Sequence, residues 1–128
     1  MATLPEPTER ELQILKVLWQ RGEATVREVY LDLRDDLPIV QNTVQAFLRL
    51  MEQKGLVSHR IAGRSFVYRP TSSHERTKKS LLAGLLDSVF DGALDQLVAS
   101  AFATRRPSRE EIVRLRQLLA AAEQKGKS

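Results

Sequence analysis

With 128 residues, 42% of them hydrophobic, the chain can build one ordinary folded domain or two small ones, and in the second case one half is short of core. The absence of cysteine excludes disulfides, thiolate metal sites and a cysteine nucleophile, and the two histidines, His59 and His74, have no partners at metal-ligand spacing, so neither a metal nor a cofactor is expected. The net charge of +4 is modest but unevenly laid: residues 41–70 carry Arg49, Lys54, Arg60, Arg64 and Arg69 against the single acid Glu52, whereas residues 1–40 carry five bases against eight acids.

In chain order, the first predicted element is a helix from about Glu9 to Gln20. It is opened by the capping pair Thr8 and Glu11, carries an apolar face of Leu12, Ile14, Leu15, Leu18 and Trp19, and stops at Arg21-Gly22. A second helix, from about Val26 to Arg34, starts at Thr25 with Glu28. It breaks at Asp35-Asp36-Leu37-Pro38, because proline disfavours a helical residue before it. A third runs from Val40 to Lys54, with Val44, Phe47, Leu48 and Met51 at core spacing and Gln41, Gln45 and Arg49 stacked at intervals of four on the other side. Strands Leu56–Ile61 and Phe66–Arg69 follow as a hairpin whose turn, Ala62-Gly63-Arg64-Ser65, has a glycine where a positive φ is needed.

Three helices and a hairpin in about 62 residues make the order of a winged helix-turn-helix. Pro70-Thr71-Ser72-Ser73 reads as a linker. Beyond it the pattern is helical, with predicted starts at Ser72 with Glu75 and at Ser108 with Glu111, and with Arg105-Arg106-Pro107 as a loop before a last helix from about Arg109 to Glu123. Leu81, Leu82, Leu85, Leu86, Val89 and Phe90 form one apolar stripe; Leu94, Leu97, Val98 and Phe102 form another, and the last helix adds Leu115 and Leu118. Helices this short make a thin core for a monomer, and a second copy would bury their stripes. The expected architecture is mainly α with a small β-hairpin wing: a winged-helix domain over 1–70 and a three-helix dimerisation domain over 71–128.

The third helix presents Gln41, Asn42, Thr43 and Gln45, whose amides can bond adenine edges bidentately and whose threonine methyl can pack on a thymine methyl. The same residues could simply cap and solubilise the helix; the charge cluster and the wing that follows favour base reading. Arg64 at the hairpin tip, with Arg60 and Arg69 nearby, suits phosphate, as do Thr25 and Arg27 at a helix start, although Thr25 is first a cap; Arg49 of the third helix joins them as a candidate DNA contact. Trp19 reads as core. His74 reads as surface, and His59 as a strand residue without a partner that could make it a general base. Asp87, Asp91 and Asp95 recur every four residues as a solvated stripe. No phosphate loop, nucleophile elbow or acid–histidine pair is present, so no enzyme is expected. Neither a secretory pattern nor an apolar run long enough to span a bilayer occurs, and a soluble cytoplasmic protein is expected.

These residues resemble a known family, the penicillinase repressors of the BlaI and MecI type. Thr8–Trp19 is similar to the family's opening helix and Ala24–Val29 to its second. Thr43–Val57 resembles its recognition helix and Gly63–Pro70 its wing, while Phe90–Leu94 and Glu110-Glu111-Ile112 resemble its dimerisation helices. The resemblance implies a homodimeric repressor that binds a palindromic double-stranded DNA operator, with Asn42 and Thr43 as the base-contacting pair and Arg64 as the wing arginine. It also implies a membrane sensor protease as a partner that inactivates the repressor by cutting its dimerisation domain. The Asn-Phe bond cut in staphylococcal members corresponds, counted without gaps, to Ser100-Ala101 here, with Phe102 one residue on. Val40-Gln41-Asn42 departs from the family's usual Ser/Thr-Pro-Lys/Thr, and the cysteine motif of copper-responsive members is absent. Two alternatives remain beside the repressor: a winged-helix module that binds an acidic protein, and a repressor of the MarR kind released by a small ligand.

Overall fold

The computed structural model describes residues 6–126 and divides into two compact units between Ala83 and Gly84. The first unit holds α1 (Glu9–Arg21), β1 (Ala24–Thr25), α2 (Val26–Leu33), α3 (Gln41–Gln53), β2 (Val57–Ala62), β3 (Ser65–Pro70) and the start of α4 (His74–Ser88). The second holds the end of α4, α5 (Leu94–Thr104) and α6 (Arg109–Gly126).

Local chemistry sets the helix starts. Thr8 accepts from the Glu11 N–H at 3.3 Å while its own N–H donates to Glu11 Oε1 at 2.9 Å, and Thr25 with Glu28 repeats the arrangement. Ser108 with Glu111 does the same at α6. The box expected at Ser72 and Glu75 does not form. Helix α4 starts at His74, so Ser73 is its cap and its hydroxyl accepts from the Arg76 N–H, while the Ser72 carbonyl accepts from the Trp19 indole N–H at 2.9 Å. Gly22 ends α1 at φ 87°, a left-handed conformation that glycine adopts without a Cβ clash.

The core of the first unit is built from α1 (Ile14, Leu15, Leu18), α2 (Val29, Leu33), α3 (Val44, Leu48, Met51) and the sheet (Val57, Tyr68). Trp19 packs on its edge and stacks on His74, ring centroids 4.5 Å apart; the histidine is exposed, as expected, and also covers the indole. The sheet is antiparallel in the order β1-β3-β2, and β1, two residues long, had no counterpart in the sequence reading. It pairs Ala24 with Tyr68 and Thr25 with Val67, so Thr25 is at once a strand residue and the cap of α2.

In the second unit the chain turns between α4 and α5 through Asp91 (φ 50°) and Gly92 (φ 82°), and Arg105 clasps Glu111 with two hydrogen bonds of 3.0 and 2.8 Å. Neither α5 nor α6 has a fully buried residue. Leu82, Leu85, Val89, Leu94 and Leu118 are exposed, and Leu81, Leu86, Phe90, Leu97 and Leu115 are half-buried.

Candidate nucleic-acid interface

The turn between α2 and α3 determines which side of α3 faces solvent. Ile39 is buried, and the Val40 carbonyl accepts from the N–H groups of Thr43 and Val44, so α3 starts with Gln41, Asn42 and Thr43 in its first turn, all three exposed. Val40 occupies the N-cap without a side-chain hydrogen bond. The orphan N–H groups of that turn therefore open onto solvent next to short polar side chains, a surface chemically suited to the acceptors of a nucleic acid. Arg27, in the first turn of α2, reaches across to Gln41 Oε1 at 3.4 Å and joins the two helix starts. Gln45 is half-buried and Arg49 exposed further along α3. Thr25 is engaged as a cap, its hydroxyl accepting from Glu28.

Cross-strand register fixes the wing. Val57 lies opposite Pro70 and Ala62 opposite Ser65, leaving Gly63 and Arg64 as a two-residue turn with Gly63 at φ 63°. Arg64 is exposed at its tip.

The basic residues counted in the sequence separate into two groups once their partners are seen. Lys54 Nζ is 2.6 Å from Glu11 Oε1, and Arg60 is held by Glu23 at 2.6 and 3.2 Å. Arg60 holds the Glu23 carboxyl below the ordinary range through that hydrogen bond, with added attraction from Arg69. Arg69 itself lies along the outer strand face, 3.4 Å from Ser58 Oγ. Arg27, Arg49 and Arg64 make no ion pair among the described residues. Within residues 41–70 and the start of α2, the bases left without an ion pair are therefore Arg27, Arg49 on α3, Arg64 at the wing tip and Arg69 on β3.

His59 has the partner that the sequence reading denied it. Its Nδ1 lies 2.7 and 2.8 Å from the two carboxylate oxygens of Glu52 on α3, and its ring stacks on Phe66 with centroids 4.2 Å apart. The readable signal was Glu52 itself, the only acid in residues 41–70.

The model of the penicillinase repressor family matches residues 7–121. The chain belongs to the penicillinase repressor family. The family consists of DNA-binding transcription regulators and not enzymes. The penicillinase repressor of Bacillus licheniformis is 28% identical over 119 residues, 93% of each chain. The solution structure of the DNA-binding domain of the repressor BlaI is 30% identical with a TM-score of 0.51, covering 58% of this chain and 90% of that one. A Bacillus licheniformis BlaI monomeric form in complex with the blaP half-operator is 29% identical with a TM-score of 0.51, covering 59% of this chain and 92% of that one. As a family member the chain is a DNA-binding repressor with a winged helix. Among the described residues no helix is long and apolar enough to cross a membrane.

Proposed function

We propose that two copies of this chain bind a palindromic operator, each inserting the start of α3 into the major groove of a half-site while its wing meets the backbone. The observation that carries this reading is how the basic segment is paired: Arg27, Arg49 and Arg64, which face the proposed groove, make no ion pair among the described residues, whereas Lys54 and Arg60 are neutralised by Glu11 and Glu23. Asn42 and Thr43 read base edges, with Gln41 and Gln45 beside them. Arg64, Arg49, Arg27 and the first turn of α2 at Thr25 contact phosphate. The half-operator complex of the related BlaI supports one winged helix per half-site.

Dimerisation is supported by the second unit, whose exposed leucines and Val89 form apolar faces without a closed core. Inactivation by a membrane sensor protease is the family-implied switch, and it would act in the cytoplasm. Ser100 and Ala101 lie exposed in mid-α5, so a protease must locally unwind that helix to cut there.

Footprinting and gel shifts on the chain's own promoter test the reading. A protected palindrome is expected. With six or more phosphates neutralised, affinity should fall by about a thousandfold or more between 50 and 200 mM salt. A promoter with no protected palindrome would leave the protein-interaction alternative in place.

A further inference from the structure

The wing is long for its support. β1 pairs with β3 only as far as Val67, so from the Ile61–Phe66 pair outwards the hairpin is a two-stranded ribbon, and an isolated ribbon of that kind is marginal in water. Two contacts hold the hairpin from opposite faces at the last rungs that β1 covers, and one of them reaches the first ribbon pair through Phe66. On one face Arg60 meets Glu23, but both side chains are about half exposed, and an exposed pair of this kind contributes little and is screened by salt. On the other face His59, opposite Tyr68 in the register, bonds both oxygens of Glu52, which belongs to α3. The His59 ring is covered by Phe66 in a near-parallel stack (16°) and tilted against Tyr68 with centroids 5.6 Å apart. Glu52 and Arg49 of α3 and the Tyr68 hydroxyl are the charged and titratable groups that face this contact.

Because Nδ1 points at a carboxylate, it must carry the proton and donate. We propose that His59 is a positioning residue for DNA binding: it joins the wing to the recognition helix through Glu52, so that Arg64 is presented to a phosphate while α3 occupies the groove. This rests on the DNA-binding reading above. It adds that the phosphate contact of Arg64 depends on a residue that touches no DNA.

The test uses the full-length chain and a random-sequence duplex, since a backbone contact carries no sequence information. The readout is the slope of log K against log salt. Arg64→Ala should flatten it by about 0.9, roughly a three- to fourfold smaller loss of affinity between 50 and 200 mM salt. His59→Phe keeps the stack and the size but cannot donate. It should flatten the slope by the same amount, and adding Arg64→Ala to it should change nothing further. His59→Asn places an amide N–H where Nδ1 was and should restore the wild-type slope.

A residue with only a structural role would lower stability in the urea transition without silencing Arg64. Additive effects of His59→Phe and Arg64→Ala, or an Asn variant that behaves like Phe, would overturn the proposal. Should the Phe variant not fold, His59→Gln makes the same comparison, because its amide reaches the Nε2 position and not Glu52. If instead the wild-type chain binds no duplex at any salt concentration, the DNA-binding reading itself fails, an outcome distinct from those above.

Discussion

Glu11 is 1% exposed and makes two kinds of contact at once: it closes the cap of α1 through the Thr8 N–H and receives Lys54 Nζ at 2.6 Å from the C-terminal end of α3. Burial alone would raise its pKa, yet the Lys54 hydrogen bond and the Thr8 N–H outweigh burial and hold the carboxyl below its ordinary range. Glu11→Ala removes both contacts. Breaking a buried pair costs about 3–5 kcal/mol, but Lys54 is one third exposed and recovers water, so the ion-pair share falls to about 1–2 kcal/mol. The lost cap adds about 1 kcal/mol, for a total of about 2–3 kcal/mol.

Urea unfolding followed by Trp19 fluorescence reads the winged-helix unit directly. With m of about 1.5 kcal/mol/M, the midpoint should fall by about 1.3–2 M at unchanged m. A cycle with Lys54→Met should return a coupling of about 1 kcal/mol or more. The pH dependence has a fixed sign. A depressed folded-state pKa stabilises the protein above the unfolded carboxylate pKa, and that contribution disappears as pH falls through the folded value; Glu11→Gln should lack this loss. A cost below about 0.5 kcal/mol with no coupling to Lys54 would refute the argument, because it would mean that the carboxylate is as well solvated as one on the surface.

Asn42→Ala should relax discrimination at one base pair of each half-site by about 1–3 kcal/mol, measured as the ratio of operator to random-duplex affinity; equal losses on both would mean that α3 is not the reader. Leu85→Asp or Leu118→Asp should place an unpaired charge in the proposed dimer contact, giving a monomer by sedimentation that keeps a folded winged helix and weak half-site binding but loses the full operator. An Asp variant that stays dimeric contradicts that assignment. Arg105, through its hydrogen bond, together with the Ser108 N–H holds Glu111 at about 2, so the α5–α6 corner should keep this support at neutral pH and lose it as acidity increases from the ordinary carboxylate range down to about pH 2. Helicity of Glu111→Gln, followed by circular dichroism, should show no such step, and a step of wild-type size in that variant would rule Glu111 out as its source.

The sequence conveyed local chemistry well and pairing across distance poorly. Three of the four expected capping boxes form, because both halves of each lie within one helical turn. The fourth shifted by one residue to Ser73, because α4 starts at His74, and the Ser72 carbonyl instead accepts from Trp19, 53 residues away, a pairing that no local rule anticipates. The hairpin was legible from alternation and Gly63, but β1 was not, since two residues show no period and exist as a strand only through β3. Charge clustering pointed at the right region of the chain while overstating it: Lys54 and Arg60 are neutralised by Glu11 and Glu23, acids that belong to the net-negative first 40 residues. His59 was passed over for the same reason, its partner lying across a helix end and a turn.

The contact of Trp19 with Ser72 and His74 has a consequence for anyone who would cut or recombine this chain. A fragment ended at Pro70, where the proline and serines suggest a joint, would strip the indole N–H of its acceptor and its ring of the histidine that covers it, and would discard Thr77, which is buried. The first turns of α4 therefore complete the DNA-binding unit, while the same helix further along carries the leucine stripe. Grafting this winged helix onto a foreign dimerisation module should work best with the splice placed inside a continuous helix, after Ala83, where the helical phase has to be preserved residue for residue.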